Sequence, residues 1–206
     1  MEYLIPISDA EYRCTERGSR FIGYCAPTED EKGALEVIAQ RNRRHHDATH
    51  NCWAYRIGEP RAPTERFSDA GEPSGTAGRP ILQQLQRVNI TQAVLIVSRW
   101  FGGTKLGKGG LVRAYGICAA ETVARLRTKV EQPTVIFTVE CSYDLIGLVE
   151  RMVTKFEGRV EGGDYGQTVR LKVRLSLGAG DGFRRLLTEE SAGGVRIIET
   201  LDVKRD

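Results

Sequence analysis

The chain has 206 residues, 40% of them hydrophobic and 28% charged, with a formal net charge of +3 at pH 7. That length suits one full domain with a smaller one, or two of moderate size, and the composition excludes wholesale disorder. No apolar run approaches the roughly 20 residues a membrane-crossing helix needs, so no membrane partner is expected.

The start, MEYLIPISDAEYRC, lacks the basic and apolar regions of a secretion signal. SRFIGYCAP then reads as a strand ending at Pro27, and TEDEKGALEVIAQRNRR as a helix with an acidic first turn and a basic last turn. HNCWAYRI (50–57) is a strand, GEPRAPTERFSDAGEPSGTAGRP a long loop and ILQQLQRVN a helix. The run AVLIVSRWF is a strand that feeds a glycine-rich loop, followed by a helix to about residue 129. Gln132-Pro133 marks the expected boundary between a domain over 1–131 and another over 132–206.

Beyond it, TVIFTVEC (134–141) is a strand rich in β-branched residues. YDLIGLVERMVTKF (143–156) carries an apolar stripe at helical spacing. GRVEGGDYG gives a short strand and turn, QTVRLKVRLSL an alternating strand, DGFRRLLTEES a helix and GGVRIIETL a last strand. The order β-α-β-β-α-β is the split-βαβ, ferredoxin-like pattern, so the expected fold class is α+β.

Charge is unevenly spread. Residues 73–120 hold six bases (Arg79, Arg87, Arg99, Lys105, Lys108, Arg113) and no acid. Within them RWFGGTKLGKGGLVRAYG places Gly102, Gly103, Gly107, Gly109 and Gly110 between strand and helix, with Arg99, Lys105, Lys108 and Arg113 around them. Glycines let a ligand approach the backbone, and a helix start offers free N–H groups to an anion. Gly102-x-x-x-x-Gly107-Lys108 has the spacing of a nucleotide-binding P-loop, but Gly109 stands where the Mg²⁺-binding hydroxyl belongs. The expectation is a phosphate cradle that does not hydrolyse ATP. Trp100 or Phe101 is placed to stack on a base.

Three histidines fall in HHDATH (45–50). His46 and His50 have i, i+4 spacing, but across a helix end and a strand start. With Cys52 they leave no evident third or fourth ligand, so no metal or cofactor is expected. Asp69, Glu72, Ser74 and Thr76 crowd the loop that follows. His50, Asp69, Glu72 and Thr76 are the candidate catalytic group, although no G-x-S-x-G elbow is present. Ser74 or Thr76 as a helix cap is the favoured structural role.

HDATHNCWAYRIG, FSDAGEPSGTAGRPIL and RWFGGTKLGKGGLVRAY, in this order, resemble the YigZ/IMPACT family, over roughly residues 18–127. The resemblance implies an N-terminal left-handed βαβ domain like those of RNase PH and a ribosomal protein. It implies a C-terminal ferredoxin-like domain similar to one of elongation factor G. It also implies nucleic-acid binding in bacterial members and translation control in eukaryotic ones. The chain departs from the family where Ala70 replaces a second acid and Trp100 replaces a usual tyrosine. Five scattered cysteines without a C-x-x-C pair suit reduced thiols in a cytoplasm.

The expected function is therefore an RNA- or ribosome-associated regulatory protein that grips phosphates through Arg99, Lys105, Lys108 and Arg113. The alternative is a hydrolase of a phosphorylated small molecule or nucleotide, and an acidic protein is a third possible partner.

Overall fold

The structure is a computed structural model that describes residues 2–200. It divides into two compact units, one over Glu2–Glu131 and one from Gln132 onward.

The first unit is built on a sheet of β2 (Ala10–Glu16), β3 (Ser19–Pro27), β4 (His50–Ile57), β5 (Thr64–Ser68) and β6 (Ala93–Trp100), in the order β2-β3-β6-β4-β5. Neighbours are antiparallel throughout. β3 and β4 therefore run parallel on either side of β6, joined by α1 (Glu31–Arg44). β5 and β6 flank β4 in the same way, joined by α2 (Gly78–Arg87). β6 explains its own apolar run. Val94 and Ile96 pack towards Ala34 and Ile38 of α1, while Leu95 and Val97 pack towards α2 and α3 (Gly107–Val123). A strand covered on both faces reads as a continuous apolar segment.

Three expectations need correction. The supposed long loop after β4 contains β5, a five-residue edge strand whose sequence TERFS offers no apolar alternation. The last long helix stops at Val123, and Thr128–Glu131 forms β7, paired with β1 (Tyr3–Pro6). The opening segment, read only for a leader, supplies both β1 and β2.

The second unit carries β8 (Thr134–Cys141), α4 (Ile146–Lys155), β9 (Arg159–Tyr165), β10 (Val169–Ser176), α5 (Gly180–Glu190) and β11 (Arg196–Thr200). Its sheet order is β11-β8-β10-β9, antiparallel at every step. This is the βαββαβ arrangement. Val135, Phe137, Val139 and Cys141 alternate into the core against Val149, Met152 and Val153 of α4 and Phe183 and Leu187 of α5. Leu201, the end of the last expected strand, lies outside the described residues.

Candidate nucleic-acid interface

Between β6 and α3 the chain turns through residues 101–106. Gly102 is glycine for a packing reason, since a Cβ there would fall 1.9 Å from the Gly18 carbonyl group. Gly107 has φ +72° and an added Cβ would meet nothing within 4 Å, so its need is conformational. Gly103 shares that character, with φ +89°. α3 then opens without a side-chain cap, because Leu106 holds the N-cap position. The N–H groups of Gly107, Lys108 and Gly109 have no partner within the helix.

Lys105, Lys108 and Arg113 are exposed around this opening. None of them makes an ion pair or side-chain hydrogen bond among the described residues. Arg113 lies four residues beyond Gly109, on the same helix face, and helical side chains lean towards the N-terminus. Gly109, one turn before Arg113, has open space where a Cβ would stand, so the backbone at the helix start is uncovered there. Gly110 instead lies close to Leu106, whose Cβ would be 3.1 Å from an added Cβ.

Arg99 does not join this exposed set. It is 5% exposed, and its Nη1 donates to Glu72 Oε1 at 2.7 Å while Nη2 donates to Ser19 Oγ at 3.3 Å. The reason is register: Arg99 follows Leu95 and Val97 at period two, so its side chain projects to the α2 and α3 side. Trp100 projects to the opposite face. The Arg20 guanidinium covers its ring at 4.1 Å, His45 meets it edge-on, and its Nε1 donates to Asp47 at 2.9 Å. Phe101, 48% exposed, is the ring left open for stacking.

The candidate catalytic group separates into two parts. Asp69 is a helix cap: Oδ2 accepts from Gly75 N–H at 2.8 Å, and Oδ1 from Ala77 and Gly78 N–H at 2.9 and 2.8 Å. Burial opposes ionisation of this carboxyl, but the three backbone donors outweigh it and hold the carboxyl below its ordinary range. Thr76 donates its hydroxyl to Pro73 O at 2.6 Å. The capping expected of Ser74 or Thr76 therefore falls to Asp69, which reaches across the turn from the end of β5.

His50 and Glu72 do converge. Glu72 is buried and takes two hydrogen bonds on Oε1, from Arg99 and from Tyr115 Oη at 2.8 Å. His50 Nδ1 lies 2.8 Å from Ala70 O, and since a carbonyl only accepts, Nδ1 carries the proton. Its Nε2 faces Glu72 Oε2 at 4.0 Å. The Cys52 thiol donates to Asp69 O at 3.0 Å and sits 3.4 Å from Tyr115 Oη. Burial pushes this thiol up to about 12, and burial with the neighbouring Cys52 and Glu72 keeps the Tyr115 phenol protonated. Tyr115 and Ser19 are members that sequence reasoning missed. No spacing signal sets a tyrosine two turns into a helix against a glutamate 43 residues away.

The family model for the Impact N-terminal domain matches residues 17–123, and one described as a domain of unknown function (DUF1949) matches 139–193. The first covers more than half of the chain. The chain belongs to the IMPACT family. The IMPACT family member of Haemophilus influenzae is 32% identical over 203 residues, covering 98% of each chain. The IMPACT family member YigZ of Escherichia coli is 32% identical over 197 residues, 95% of this chain and 97% of that one. A crystal structure of a hypothetical protein superposes with a TM-score of 0.64 at 30% identity, covering 98% of both chains. Every residue of the loop and of the His50–Glu72 cluster falls inside the Impact N-terminal match. Among the described residues no helix is long and apolar enough to cross a membrane.

Proposed function

We propose that the protein binds the phosphate backbone of single-stranded RNA, free or within a ribosome, through the loop that opens α3, and that it acts there as a regulator. One observation carries this reading: Lys105, Lys108 and Arg113 stand exposed and unpaired among the described residues around N–H groups that no side chain caps. Such contacts position a nucleic acid without selecting sequence. Phe101 adds an open ring on which any base can stack. Arg99 serves the site from within, by holding Glu72.

The test is fluorescence anisotropy of short single-stranded RNA with the wild type and with Lys105→Ala/Lys108→Ala. The double variant is expected to bind at least about tenfold more weakly. Equal affinity contradicts the reading. Capture of one stoichiometric protein that survives nuclease treatment would instead assign these charges to an acidic protein partner.

A hydrolase of a phosphorylated small molecule keeps one observation in its favour, the convergence of His50 and Glu72. Asp69 and Thr76 are engaged in holding the turn, so that reading rests on two residues rather than four. A metabolite screen with turnover lost in His50→Ala would raise it above RNA binding.

A further inference from the structure

Beside the loop the fold leaves two polar atoms facing each other without a bond. Glu72 Oε1 is occupied by Arg99 and Tyr115, whereas nothing but His50 Nε2, at 4.0 Å, stands before Oε2 among the described residues. That separation is too long for a hydrogen bond. One oxygen about 2.8 Å from each atom would close it, with an angle of roughly 90° at that oxygen. The Glu72 side chain is only 3% exposed, and its unbonded Oε2, which keeps some contact with solvent, lies opposite His50 Nε2.

The gap belongs to the same sheet face as the open aromatic ring. His50 and Arg99 are direct register partners, and Phe101 follows Arg99 by two residues. The backbone N–H of Phe101 donates to Thr49 Oγ1 at 3.0 Å, which ties the start of the loop to the residue before His50. The Arg99 guanidinium lies 5.6 Å from the Phe101 ring centre and contacts Glu72 at its other side. Ring, guanidinium, carboxylate and imidazole thus form one continuous row. These contacts link the ring on which a base would stack to the gap.

We propose that the gap between His50 Nε2 and Glu72 Oε2 seats the ribose 2′-hydroxyl of RNA. The inference rests on the RNA reading above and deepens it, by naming how RNA is told from DNA. A hydroxyl donates to Glu72 Oε2 and accepts from Nε2 when the imidazole carries both protons; with a neutral ring it still donates to Oε2. A phosphate oxygen, which only accepts, meets the carboxylate charge and is refused. Deoxyribose brings a C–H group instead, displacing water from a largely buried carboxylate without replacing its hydrogen bond. The 2′-hydroxyl is the group by which proteins separate the two nucleic acids.

The test compares RNA and DNA of one sequence, restricted to adenine and cytosine, by anisotropy in the full-length protein. The wild type is expected to favour RNA by about tenfold. His50→Ala is expected to reduce that ratio to within about twofold. Because His50→Ala also removes the bond to Ala70 O, Glu72→Gln is measured beside it, with thermal melts to confirm that both variants fold. A ratio unchanged in the folded variants overturns the hydroxyl seat. Equal, salt-sensitive affinity of the wild type for RNA and DNA overturns it too, while leaving the phosphate reading intact. Binding of neither nucleic acid removes both.

Discussion

The Tyr115 hydroxyl and the Glu72 carboxylate lie 2.8 Å apart, and the same carboxylate oxygen also receives Arg99 at 2.7 Å. Two donors on one buried oxygen divide their stabilisation unequally. Tyr115→Phe removes a neutral donor and leaves Glu72 paired with Arg99, so it is expected to cost about 1–2 kcal/mol. Glu72→Ala strands the Arg99 charge in a site where it is 5% exposed, and is expected to cost roughly 3–5 kcal/mol. Urea denaturation of the two variants checks the order. A larger loss for Tyr115→Phe would mean that the ion pair is not the centre of this cluster.

Asp69 gives the fold an acid limit. Its folded-state carboxyl is held below the ordinary value of about 3.9. Its contribution is therefore fully present above that value and disappears as pH falls through the lower folded one. Asp69→Asn is expected to lose about 1 kcal/mol at neutral pH, typical of a helix cap. It is also expected to flatten the acid side of the stability curve. A melting temperature measured against pH decides this; a variant with the wild-type slope below pH ~4 would remove Asp69 from the cap.

Gly102→Ala tests why the loop lies where it does. A methyl group there would fall 1.9 Å from Gly18 backbone atoms, which is not attainable without moving one of the two segments. A loss of stability above about 1 kcal/mol is expected, with weakened RNA binding because the loop shifts. Gly109→Ala is the control, since its Cβ would meet open space in a helix and improves helix propensity. Equal stability losses in the two variants would contradict the close approach.

The five cysteines are expected to react in a set order. The Cys118 thiol beside Cys14 holds the Cys14 thiol below its usual range, against the effect of its own partial burial. Burial pushes Cys25 and Cys52 up to about 12. Limited alkylation with iodoacetamide at neutral pH, read by peptide mass spectrometry, should label Cys14 first. Faster labelling of Cys52 would show that the Tyr115–Glu72 cluster opens in solution.

Much of the architecture was legible in the sequence because its signals are local. β10 alternates strictly in sequence and β8 does so apart from Ile136, α4 carries a clear apolar stripe, and β6 is apolar on both faces. β5 and β7 were not legible, since TERFS and TKVE are short strands without apolar alternation, and β7 pairs with β1, more than 120 residues away. The candidate site divides in the same way. The basic glycine loop announces itself by composition. That Arg99 turns inward, Trp100 lies under Arg20 and Asp69 caps α2 depends on register and on the path of the turn, which residue types alone do not reveal.

The salt dependence of RNA binding tests the central claim most directly. From sequence alone four bases, Arg99 included, would release counterions on binding, for a log–log slope near −3 at ~0.7 per phosphate. With Arg99 buried against Glu72, three exposed bases remain, and a slope of about −2 is predicted, falling to about −0.7 in Lys105→Ala/Lys108→Ala. A flat salt response, or a wild-type slope that the double variant retains, would contradict the assignment of the α3 loop as the phosphate-binding surface.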